Sequence, residues 1–98
     1  MTAPRYDVVV PTLGRPSLAA LLGSLAAAAG PLPERVVLVD DRARADAALE
    51  AAVPGELDGR VTVLAGGGRG PAAARNLGWR AGRAEWVAFL DDDVVVDG

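Results

Sequence analysis

The chain contains no cysteine and no histidine. The first absence excludes disulfide bridges and thiolate metal centres; the second removes imidazole ligands and the commonest general base. Any metal ion must then be held by carboxylates, which favours a hard cation such as Mg2+ or Mn2+. Lysine and isoleucine are also missing, so all ten basic residues are arginine. A net charge of −3 does not supply the basic face that nucleic acid requires, and nucleic acid is not the expected partner. No apolar run approaches the roughly 20 residues of a membrane span, and Met1–Asp7 has no signal-peptide core. The expected location is the cytoplasm.

What remains is a chain built to pack. Its 98 residues suit one modest domain, and 51% hydrophobic with 23% charged residues is the balance of a folded protein rather than a disordered tail. Short β-branched runs alternate with Ala/Leu-rich periodic ones, the pattern of an α/β fold with a parallel sheet and flanking helices. Tyr6–Pro11 is apolar on both faces and reads as a central strand. Leu18, Leu21, Leu22 and Leu25 then fall on one helix face, with Pro16 at its start and Gly30-Pro31 after its end. Arg35–Asp40 is the second strand, Ala43–Ala52 a short helix, and Arg60–Leu64 an alternating edge strand. The glycine-rich turn Gly66–Gly70 leads to a helix from Pro71 to about Gly82, and Glu85–Leu90 is the fourth strand, followed by Asp91-Asp92-Asp93. Trp79, Trp86, Tyr6 and Phe89 lie in apolar segments and are expected to pack.

Ligands of open parallel sheets bind outside the carboxyl ends of the strands. Thr12 and Arg15, Asp40-Asp41, the glycine turn and Asp91–Asp93 all follow strands, so all four clusters fall at the same edge. Three adjacent carboxylates repel one another unless a cation or hydrogen bonds offset them. In extended geometry Asp91 and Asp93 would project to one side and Asp92 to the other. A divalent ion bridging carboxylates to a ligand's phosphates is one reading; a solvated acidic turn is the other. Asp40-Asp41 similarly reads as a ligand acceptor or a helix cap, and Arg75 and Asn76 as ligand-orienting groups or partners of the acidic cluster.

Four segments, in order, resemble family 2 glycosyltransferases of the Rossmann-like GT-A fold. They are Val8-Val9-Val10-Pro11-Thr12-Leu13-Gly14-Arg15-Pro16, Val37-Leu38-Val39-Asp40-Asp41, Gly70-Pro71-Ala72-Ala73-Ala74-Arg75-Asn76-Leu77-Gly78, and Trp86-Val87-Ala88-Phe89-Leu90-Asp91-Asp92-Asp93. The last carries the D-x-D motif. The resemblance implies transfer of a sugar from a nucleotide-diphosphate sugar, most often a UDP-sugar, to an acceptor the sequence does not identify. It implies an inverting outcome, with Mg2+ or Mn2+ neutralising the departing diphosphate. By the same resemblance Pro11 and Thr12 line the base pocket, Arg15 lies near the phosphates and Asp41 contacts the base. Arg75 and Asn76 shape the donor site. Asp91 and Asp93 hold the metal, with Asp93 the leading ligand and Asp91 or Asp92 near the ribose. Gly14 stands where the family pattern has asparagine, and Arg42-Ala43 where it has serine after the double Asp. The family's base and acceptor half lie downstream of D-x-D. No catalytic residue is therefore assigned, and the base is expected downstream of Gly98. The chain is expected to be the N-terminal, donor-binding portion of a GT-A domain, incomplete for turnover and prone to self-association through an uncovered last strand.

Three alternatives compete. Gly68-Arg69-Gly70-Pro71-Ala72-Ala73 matches the G-x-G-x-x-A dinucleotide fingerprint of NAD(P)-binding oxidoreductase domains, with Asp91 about 20 residues on. That fingerprint normally opens its fold, whereas two β-α units precede it here. Leu90–Val95 resembles the D-x-D-x-[TV] nucleophile motif of haloacid-dehalogenase-type phosphatases, which also normally begins its domain and precedes a glycine. The third alternative is a folded module without catalytic activity.

Overall fold

Valine-rich strands alternate with helices along the chain: β1 (Tyr6–Thr12), α1 (Ser17–Ala27), β2 (Arg35–Asp40), a 3-10 turn (Gly55–Leu57), β3 (Val61–Ala65), α2 (Pro71–Ala81) and β4 (Trp86–Phe89). The structure is a computed structural model that describes residues 5–28, 30–43, 49 and 52–96. The expected helix over Ala43–Ala52 lies largely outside the described residues. Gly98, the position downstream of which the catalytic base is expected, lies outside them too. The strands form one parallel sheet in the order β3-β2-β1-β4. β1 is therefore interior and β3 an edge, in keeping with the near-continuous burial of the first and the absence of any fully buried residue in the third.

The period of two along each strand sends alternate valines to opposite layers. Val8, Val10, Val36 and Leu38 meet Leu18, Leu21, Leu22 and Leu25 of α1, together with Leu57. Val9, Val37 and Val39 face the other way, onto Ala74 of α2. α2 approaches closely because Gly78 lies against Val9 and Val39; a Cβ at Gly78 would collide with the Val9 side chain. α1 is preceded by Pro16 as its N-cap, whose carbonyl accepts from Ala19 N at 3.2 Å. The turn leading into it uses Gly14, at φ +76°. Glycine and asparagine are the residues that take this region with least strain, which accounts for glycine where the family pattern has asparagine.

Asp7 is buried near the start of β1, and its Oδ2 accepts from the backbone N–H groups of Arg83 and Ala84 at 2.8 and 2.9 Å. This carboxylate fastens the turn between α2 and β4 to the centre of the sheet. Tyr6 packs beside the α1 layer and donates its hydroxyl to Pro31 O at 2.8 Å, while burial raises the phenol's pKa.

The expectation that Trp79, Trp86 and Phe89 pack is overturned. They are 55%, 64% and 43% exposed. Trp86 and Phe89 belong to β4, whose outer side meets no further strand among the described residues. Trp79 lies off the Ala74–Gly78 face that α2 turns toward the sheet. Apolar sequence context marked these segments correctly but did not reveal which faces receive a covering layer.

Candidate functional site

β1 lies between β2 and β4, so the chain leaves β1 toward one side of the sheet and returns on the other. This is a topological switch point, where the carboxyl ends of neighbouring strands open a crevice. A cavity of about 220 Å³ occupies it, lined by Pro11, Thr12, Leu13 and Arg15 beyond β1, Asp41 beyond β2, Pro71 at the start of α2, and Asp91, Asp92 and Asp93 beyond β4. That volume is below the roughly 300–1,000 Å³ of complete ligand pockets, so the cavity encloses only part of a nucleotide-sugar-sized ligand. Sequence reasoning missed Leu13 and Pro71; the available signal was their position at the mouths of the first and third strand-to-helix turns.

The three aspartates divide the work. Asp92 is buried, and its Oδ2 accepts from Thr12 Oγ1 at 2.8 Å and from Leu13 N at 3.4 Å. The Arg15 guanidinium lies 3.9 Å from Asp92 Oδ1. Thr12 is equally committed, because its hydroxyl also accepts from Gly14 N at 3.0 Å. Asp92 and Thr12 thus latch the end of β1 to the segment after β4 and hold the crevice in shape. Extended geometry ends at Phe89 and the aspartates enter a turn, yet the expected division persists: Asp92 points inward while Asp91 and Asp93 are exposed.

Asp91 Oδ1 lies 3.6 Å from Arg75 NH2, a pair exposed enough to be worth little in stability. Among the described residues, no hydrogen bond or ion pair engages the Asp93 carboxylate. No three acidic side chains among the described residues converge in a metal-holding group. Asp91 and Asp93 are exposed and present hard anionic oxygens to the cavity, the donor chemistry a hard divalent cation takes.

Asp41 is held from the other direction. Its Oδ1 and Oδ2 accept from Arg69 N and Gly70 N, both at 3.1 Å, so the carboxylate closes the glycine loop over the end of β2. A Cβ at Gly66 would sit 2.9 Å from Asp41 Oδ1, which explains why this position lacks a side chain. A dinucleotide's diphosphate would approach this loop and the start of α2, where an internal carboxylate already engages the Arg69 and Gly70 amides. Asp40 is engaged separately: Arg42 Nε and NH2 donate to its two oxygens at 2.8 and 2.7 Å. These hydrogen bonds hold the Asp40 carboxyl below the usual range, against the opposing effect of partial burial.

The structure therefore brings Pro11, Thr12, Arg15, Asp41, Asp91, Asp92 and Asp93 to one cavity and sets Arg75 beside it through Asp91. Asn76 does not join them; it lines a separate depression beside the glycine loop.

Comparison with known proteins bears on the family and the fold. The profile of glycosyl transferase family 2 matches residues 7–98. The chain is 49% identical over 63 residues to the succinoglycan biosynthesis protein ExoO of Rhizobium meliloti (strain 1021), a match covering 62% of this chain and 17% of that protein. The fold is similar to the crystal structure of S. aureus TarS, with a TM-score of 0.64 and 26% identity over 91% of this chain and 16% of that one. The chain thus spans about a sixth of the length of each relative. With the parallel sheet, its two helical layers and the switch-point crevice of the GT-A fold, it belongs to glycosyl transferase family 2.

Proposed function

We propose that this chain is the donor-binding part of a glycosyltransferase, taking a nucleotide-diphosphate sugar, with UDP as the nucleotide part, into the crevice between β1 and β4. The observation that carries the reading is the meeting of Asp41, Arg15 and the Asp91–Asp93 segment around one cavity at the carboxyl edge of the sheet. Pro11 and Leu13 offer an apolar wall to a flat base, and Asp41 offers carboxylate lone pairs beyond those taken by Arg69 N and Gly70 N. Arg15, which is exposed on its outer side, brings positive charge to the diphosphate. Asp92 and Thr12 act by keeping the two strand ends together. Asp91 and Asp93 are the residues that would hold Mg2+ or Mn2+. The ion supplies electrostatic stabilisation of the leaving diphosphate, a role that needs neither histidine nor cysteine.

No residue of the 98 is given the role of general base. The inverting outcome is carried over from the family resemblance alone, and no acceptor is assigned. The dinucleotide alternative is disfavoured by Asp41 occupying the loop amides. Calorimetry separates the two: UDP is expected to bind in Mn2+ and to lose at least about tenfold in affinity in EDTA, while NAD shows no heat. NAD binding that is indifferent to Mn2+ would overturn the proposal.

A further inference from the structure

The loop from Gly66 to Gly70 has a second side. There a depression of about 480 Å³ opens between the end of β3 and the outer face of α2, with Gly66, Arg69, Ala73, Asn76, Leu77 and Arg80 in its lining. It shares no lining residue with the crevice between β1 and β4. Its volume falls within the roughly 300–1,000 Å³ of small-molecule sites.

The chemistry of the lining is uneven in an informative way. No acidic residue contributes to it, although the chain as a whole carries a net charge of −3. Among the described residues, neither the Arg69 nor the Arg80 guanidinium lies within ion-pair distance of a carboxylate. The same lining includes the apolar Ala73 and Leu77, the latter 40% exposed. Planar donors and apolar groups in one lining suit an oxyanion attached to a hydrocarbon body, since each guanidinium can give two parallel N–H bonds.

We infer that this depression is a second binding site, for a small phosphate monoester: the phosphate lies between Arg69 and Arg80 with the Asn76 amide as a further donor, and the organic body rests on Ala73 and Leu77. The site needs no metal and does not depend on what fills the crevice between β1 and β4.

Phenyl phosphate is a suitable probe, titrated in EDTA into the isotope-labelled 98-residue chain and followed by amide chemical shifts. The expected result is saturable movement of the Gly66, Gly67, Arg69, Asn76 and Leu77 signals while Asp91–Asp93 stay in place. R69Q and R80Q, both at exposed positions, should each raise Kd by about tenfold, and R80K, which keeps the charge but loses the planar fork, should fall between R80Q and the parent. Phenol, which keeps the ring and lacks the charge, should bind at least about tenfold more weakly. The absence of saturable shifts at these residues would overturn the site. So would equal affinity in the parent, R69Q and R80Q chains whose spectra show the native dispersion.

Discussion

Buried carboxylates at strand ends are ordinarily a liability, and this chain converts each into a fastening. Asp7 holds the turn before β4, Asp41 the glycine loop, Asp92 the end of β1, and Asp40 its neighbour Arg42. The Asp40–Arg42 pair has a consequence in pH. A carboxyl held below its unfolded value contributes stability that is fully present above about pH 4 and is lost as pH falls through the lower folded value. In R42Q the folded value returns toward the unfolded one, so the acid limb of stability should flatten below about pH 4 relative to the parent. Urea midpoints measured at several pH values would show this; parallel acid limbs in the two chains would refute it.

At the scale of elements, two glycines in helices make opposite predictions. Gly78 rests on Val9 and Val39 with no room for a methyl group, whereas nothing lies within 4 Å of a Cβ at Gly23 of α1. G78A should destabilise by about 1–3 kcal/mol through overpacking between α2 and the sheet. G23A should stabilise by about 0.5–1 kcal/mol, the ordinary preference of a helix for alanine. Equal signs in denaturant unfolding would contradict the packing described here. The glycine loop yields a third prediction: D41A removes both acceptors of the Arg69 and Gly70 amides, so hydrogen exchange at these two amides should accelerate toward the rate of open loops. Unchanged protection would mean that the loop does not depend on Asp41. These element-level facts mark the limit of sequence reading. The leucine spacing of α1, the valine runs and Pro71 announced the elements because period and capping are local properties. That Gly78 is a contact surface, that Asp92 is a latch and that Asn76 turns away from the crevice depend on which elements become neighbours, and spacing along the chain does not encode this.

For the whole molecule, strand order decides where chemistry can occur. With β1 between β2 and β4, the polar residues following these strands, and Pro71 at the start of α2, reach one crevice at one end of the sheet, while the Asp7 fastening lies at the other end. The sequence already placed Thr12, Arg15, Asp41 and Asp91–Asp93 after strands, and a parallel sheet makes their convergence at one edge a matter of geometry. Exposure of Trp86 and Phe89 on β4 was not legible, because burial of an edge depends on what lies beside it. The most direct test of the donor-site account uses Mn2+ as a paramagnetic probe in the presence of UDP. Broadening of amide signals should be strongest at Asp91–Asp93 and Leu13, leave Glu34 and Ala84 at the far end of the sheet least affected, and be abolished in the D91N/D93N double variant. Broadening centred elsewhere, or undiminished in that variant, would contradict the account.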